Sequence, residues 1–301
     1  MNNKVVLKIL VICGAVFLVF GIIAAIFAAG TAARGWQNEK FFSIGRGEPF
    51  EYHKNENFDL DGVTQVNVGT VSTDVVFYQS DSELEVTLDC SGYTNKETIT
   101  LETNQVGSVV NVKIKYPKYG WNSWGGINIT QSLLQIGIPE DYAESVQVSG
   151  VSSEIRMNSH LANSFVQFDI DTVSGNADVQ CLQIDVLEFD STSGDLKVER
   201  TILNSVSADT TSGDMNIANV GSEGGKVGIS TISGRVKIFY DELCETRVNT
   251  TSGDVQLDIP DDSKIDLDFD SVSGDVSGDY NKNSDGVSVN IDTVSGDLDI
   301  Y

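Results

Sequence analysis

Histidine occurs twice in 301 residues, proline four times and cysteine four times, while 19 lysines and arginines face 44 aspartates and glutamates. Each shortage closes a class of function. His53 and His160 lie in no triad or metal motif, and no GxSxG, HExxH, P-loop or dinucleotide fingerprint occurs, so no recognisable enzyme constellation is present. Cys13, Cys90, Cys181 and Cys244 show no CxxC or zinc-type spacing, and the last three are expected to be buried free thiols. So few prolines, in a chain patterned for strands, argue against disorder. Beyond residue 34 the net charge is near −28, which excludes nucleic acid as a partner and disfavours loose adsorption to anionic lipid.

What the chain has instead is a recurring signature. It reads TVSGN (172–176), STSGD (191–195), TTSGD (210–214), TISGR (231–235), TTSGD (250–254), SVSGD (271–275) and TVSGD (293–297). The glycines Gly175, Gly194, Gly213, Gly234, Gly253, Gly274 and Gly296 stand 19, 19, 21, 19, 21 and 22 residues apart. A period near 20 marks a repeat architecture in which each unit stacks on its neighbours. Two and four residues after each glycine the side chains are mostly apolar, as in Leu196 and Val198, and two before they read Val173, Thr192, Thr211, Ile232, Thr251, Val272 and Val294. Alternation with polar residues gives the period of a strand with one buried face. Apolar columns five and seven residues before glycine, such as Phe189 and Leu187, have the opposite parity. One strand cannot change parity, so a corner is expected between them, at Asp171-Thr172, Asp190-Ser191 and their equivalents. Each unit is then a strand, a corner, a second strand and a return. The expected fold is all-β, a right-handed parallel β-solenoid of coils about 4.8 Å apart. Stacked antiparallel hairpins or a β-sandwich are the alternative. The glycine supplies either a positive φ or room for close backbone approach.

Residues 9–33 carry no charge and are long enough to cross a hydrocarbon core of about 30 Å. A single-pass transmembrane helix is expected there, with residues 1–8 cytoplasmic and the rest outside the cell membrane; a cleaved signal peptide, with its small residues at Ala28–Ala33, is the alternative. A tether or first strand follows over 34–60, then a divergent N-terminal β portion over 61–150 whose alternating runs between 84 and 138 suit antiparallel strands or a cap, and the repeats over 151–301. The last repeat has nothing after it to cap it, so its coil is expected either to be blunted by an earlier segment or to pair with another chain, self-associating through an uncapped C-terminal coil.

Two features invite a site. Asp195 and Asp214 follow repeat glycines, and Asp190 and Asp209 stand at the corners; stacked carboxylates about 4.8 Å apart repel by about 1 kcal/mol, which a calcium ion would relieve. No other cofactor is expected, and solvated turn chemistry accounts for these aspartates without any ion. The stretch 116–126 gathers Tyr116, Tyr119, Trp121 and Trp124 beside Lys118, a contact patch for a protein or glycan partner, or a plug over one end of the stack. The repeated serines are not nucleophiles, because catalysis needs one such residue while every coil carries this one.

The signatures TVSGN, STSGD, TTSGD, SVSGD and TVSGD behind an N-terminal apolar segment resemble the bacterial DUF4097 family of adhesin-type, β-strand repeat-containing proteins. The resemblance covers about residues 61–301, and Arg235 in TISGR departs from it. It implies a β-repeat envelope protein with no catalytic residues to carry over. The expected function is a membrane-anchored, non-catalytic surface interaction module. An envelope-stress regulator acting through membrane-proximal partners is the alternative, and an enzyme of envelope polymers is third.

Overall fold

The computed structural model describes residues 48–94, 98–117, 128–157, 161–221 and 224–301. They form 24 strands and, among the described residues, no helix. The span expected over 9–33 lies outside the described residues; within them no helix is long and apolar enough to cross a membrane.

The strands before the signature repeats are β1 (Glu48–Phe58), β2 (Gln65–Gly69), β3 (Asp74–Ser80), β4 (Leu84–Thr94) and β5 (Thr100–Val106). They continue with β6 (Val109–Lys115), β7 (Asn128–Pro139), β8 (Ser145–Gly150) and β9 (Ile155–Met157). The repeats then alternate long and short strands: β10 (Leu161–Thr172), β11 (Ala177–Val179), β12 (Cys181–Ser193), β13 (Leu196–Val198), β14 (Ile202–Ser212) and β15 (Met215–Val220). Next come β16 (Lys226–Ser233), β17 (Val236–Tyr240), β18 (Glu245–Ser252), β19 (Val255–Asp258) and β20 (Lys264–Ser273). The last are β21 (Val276–Gly278), β22 (Asn281–Lys282), β23 (Val287–Ser295) and β24 (Leu298–Ile300).

Long strands pair in parallel with long ones and short with short, in the register the glycines define: Asp171 beside Asp190 beside Asp209, Ala177 beside Leu196 beside Met215. This is a β-solenoid, and the hairpin and sandwich alternatives fall. One continuous core lies between the two walls, with Phe168, Leu187, Phe189, Val198, Ile217, Leu257 and Ile300 each at most 1% exposed.

The stack does not follow chain order at either end. β23 pairs with β18 on one side and β20 on the other, and β24 lies between β19 and β21, so the last repeat is inserted beneath the one before it. The expectation of an uncapped C-terminal coil is therefore corrected. The end of the stack is the coil of β20 and β21, and the final repeat is hydrogen-bonded on both sides. At the other end β2 and β3 sit between β8 with β9 and β6 with β7. β6 and β7 are thus part of a parallel coil as well as of the antiparallel cap expected there. That cap consists of β5 on β6, β4 on β7 and β1 on β4. Within 34–60, residues 48–58 form a first strand, β1, which is an outer strand of the cap. The ladder runs unbroken across residue 150, since β8 and β9 pair with β10 and β11.

The corner also sits later than expected. Thr172, Thr210, Thr231, Thr250 and Thr293, three residues before glycine, are buried with the preceding strand, and the change of parity falls on the next two residues. The column from Val173 to Val294 accordingly does not belong to the core: it is partly exposed, and Val272 is 63% exposed. A small inward threonine or serine lets the chain turn before the apolar column resumes.

Candidate functional site

The signature explains itself in the stack. A β-carbon on any of the seven repeat glycines would lie 1.9–2.2 Å from a carbonyl oxygen of the adjacent coil, that of Ser153 for Gly175 and of a repeat glycine for the rest. No side chain fits there, so close approach is what the position demands, and only Gly234 adds a φ in the positive region, at 146°. The residue after glycine serves the next coil. Asp195 N–H donates to Asn176 Oδ1 at 2.9 Å, Asp214 N–H to Asp195 Oδ1 at 2.8 Å and Arg235 N–H to Asp214 Oδ1 at 2.8 Å. Asp297 donates to Asp254 and Asp275 to Asp297 in the same way. Arg235 interrupts the row, having no side-chain acceptor to offer Asp254. The preceding serines, from Ser174 to Ser295, form an exposed row along the corner. Inside the corner the hydroxyls of Ser153, Thr172, Ser191, Thr210, Thr231, Thr250, Ser271 and Thr293 are buried with no hydrogen-bond partner in the structure.

The four aspartates considered for calcium fall into two separate rows. Asp195 and Asp214 each hold a backbone N–H. Asp190 and Asp209 stand in register on β12 and β14, beside Asp171, with Asp169 and Glu188 one outward position away. Burial, and then the charges of Asp209, Asp171, Glu188 and Asp169, push the Asp190 carboxyl up to about 6; burial also raises Asp171. Among the described residues no group of three or more His, Cys, Asp or Glu side chains is placed to hold a metal ion. Farther along the same wall Lys226 pairs with Glu245 at 3.0 Å and Arg247 with Asp292 at 3.8 Å, after which acid returns on β20 with Asp266, Asp268 and Asp270.

Of the aromatic patch, Tyr116 is half-buried and acts as a clamp. Its Oη accepts from Ser72 N–H at 3.1 Å and lies 2.7 Å from Thr73 Oγ1, fixing the turn between β2 and β3. Lys118, Tyr119, Trp121 and Trp124 lie outside the described residues, as does His160. His53 pairs with Asp89 at 2.6 Å on the exposed face of β1. Cys90, Cys181 and Cys244 are free and buried, as expected, and burial raises the thiols of Cys181 to about 12 and Cys244 to about 11. Such thiols stay protonated at neutral pH and are unsuited to nucleophilic work.

Sequence reasoning missed the acceptor role of the aspartates, the inner hydroxyl row and the exchanged order of the coils.

A family model described as Toastrack DUF4097 matches residues 63–301. Among solved structures the chain is similar to one described as a "putative adhesin" from Bacteroides fragilis NCTC 9343, at 12% identity over 83% of this chain and 97% of that one, with a TM-score of 0.51. A protein from Parabacteroides distasonis ATCC 8503 described in the same words is 12% identical over 84% and 97%, with a TM-score of 0.49. Another from that strain, described as a "putative lipid binding protein", is 15% identical over 85% and 98%, also at 0.49. At these identities the first likeness concerns the fold alone. A comparison with curated proteins finds no match.

Proposed function

The chain belongs to the Toastrack DUF4097 family, and on that premise we propose that it is a non-catalytic, adhesin-like surface module displayed from a membrane. The apolar stretch 9–33 serves as the single anchor, with residues 1–8 on the cytoplasmic side and the acidic solenoid, wound right-handed as parallel crossovers favour, outside. The observation that carries this reading is the in-register display of identical groups. Serine and aspartate rows repeat at the coil spacing along a rigid wall, which suits multivalent contact with an extended protein or glycan and offers no solitary reactive residue. No cofactor is required. A calcium ion at Asp190 and Asp209 would raise the melting midpoint, and an unchanged midpoint with calcium present excludes it.

The test compares the full chain with residues 35–301 alone for saturable binding to isolated cell-envelope material. A surface module keeps its binding when freed from the anchor. Loss of all binding and effect on release favours the regulatory alternative, and turnover of envelope polymer by the freed chain favours the enzymatic one.

A further inference from the structure

The two ends of the stack are finished differently. At the first, β1 and β5 are the outer strands, and β1 closes over β5: Leu101 N–H donates to Tyr52 Oη at 3.1 Å and Lys54 Nζ donates to Leu101 O at 3.1 Å. At the second, β22 pairs only with Lys264 and Ile265 of β20. From Asp266 to Ser273, and along all of β21, no described residue pairs with the outer side, so alternate backbone N–H and C=O groups face away from the stack. The apolar columns are also unfinished there. Phe189 and Val255 in inner coils are 0% and 2% exposed, whereas their counterparts Phe269 and Val276 are only partly covered, Tyr280 lies half-buried beside them and Val272 stands 63% exposed.

We propose that the outer edge of β20 and β21 takes up a cationic, extended segment of a partner protein as an added β-strand. Main-chain pairing would supply register, and apolar side chains at alternate positions would cover Phe269 and Leu267. The remaining positions of such a strand lie beside Asp266, Asp268 and Asp270, which line the outward face at every second residue, so lysine or arginine there is matched by charge. A second copy of this chain offers the opposite. Its own edge would set aspartate against aspartate, each pair repelling by about 1 kcal/mol even in water. The proposal rests on the interaction-module reading only for the existence of a partner.

The probe is an acetylated, amidated octapeptide of alternating lysine and valine, titrated by fluorescence anisotropy against the full chain in detergent micelles. Saturable binding is expected, weakened at least tenfold in the triple variant Asp266→Lys, Asp268→Lys, Asp270→Lys. An equal charge change at the other end, Glu48→Lys, Glu51→Lys, Asp81→Lys, should leave it within twofold. The same peptide N-methylated at every residue keeps its charge but carries methyl groups on both edges and cannot pair as a strand, and should bind at least tenfold more weakly to the unaltered chain, a comparison that needs no variant to fold. No binding, equal binding of the methylated peptide, or equal loss in both triple variants overturns the proposal. So does concentration-dependent dimerisation that the first triple variant abolishes, which would make a second copy the occupant. Peptide binding with this pattern alongside failure to bind envelope material would retain the edge and reject the surface-module reading.

Discussion

At the scale of single residues the repeat is governed by a steric demand and two polar ones. Gly213 packs its Cα against the Gly194 carbonyl, so Gly213→Ala forces two coils apart and should cost about 2–3 kcal/mol, lowering the melting midpoint by roughly 5–10 °C. Gly228, on an exposed strand position with open space and no positive φ, is the control, and Gly228→Ala should be neutral or slightly stabilising. The inner hydroxyls point the other way. Thr231 is 5% exposed and its Oγ1 has no partner, so the isosteric Thr231→Val removes a desolvated polar group and should raise the midpoint by a few degrees, with roughly 1 kcal/mol gained. Asp190 gives a pH signature. Its folded carboxyl titrates near 6, above the ordinary value near 4, so the folded state holds the proton more tightly than the unfolded chain. The resulting penalty is absent below about pH 4 and complete above about 6, and stability should rise on acidification from pH 7 to 5. That difference corresponds to about 2.7 kcal/mol, which screening of a row open to water reduces to about 1 kcal/mol or less. Asp190→Asn should be more stable than the parent at pH 7 by that amount and show a flatter rise on acidification, as followed by thermal melts.

At the scale of elements, the strand and its inward columns were legible because alternation and a fixed glycine period leave few ways to bury one face. The corner was misplaced by a residue or two, since a buried threonine and an exposed one look alike in a Thr-Thr-Ser-Gly string. Stack order was not legible at all. Each repeat presents the same rows to either neighbour, so the pattern is indifferent to which coil lies above; only connection lengths differ. The exchange carries a clear expectation. Removing residues 283–301 takes away the layer between β18 with β19 and β20 with β21, and so unseats two coils, not one. Hydrogen exchange should show residues 264–278 losing protection along with the deleted repeat, while strands up to β17 keep theirs. Retained protection over 264–278 would mean that the coil re-docks directly on β18.

At the scale of the molecule, the excess of acid was plain from the net charge but its arrangement was not: acid is concentrated on β10, β12 and β14 and again on β20, with the cations Lys226 and Arg247 between them. Added salt should therefore raise the midpoint by screening self-repulsion, and the gain should shrink where Asp190 is neutralised. The thiols behave as one class. A thiol reagent should leave Cys90, Cys181 and Cys244 unmodified in the folded chain and modify all three once it is unfolded, with mass spectrometry as the readout.

The exchanged order of the last two coils also has a consequence for biosynthesis. The ribosome delivers residues 264–278 before the segment that must lie beneath them, so for a time that coil has no foundation. It must either wait loosely or settle on β18 and later be lifted to admit the latecomer. Maturation of this end of the solenoid thus hinges on residues translated after the coil they support, and a chain interrupted between those two segments would carry an open slot of the right shape for the corresponding segment of another molecule.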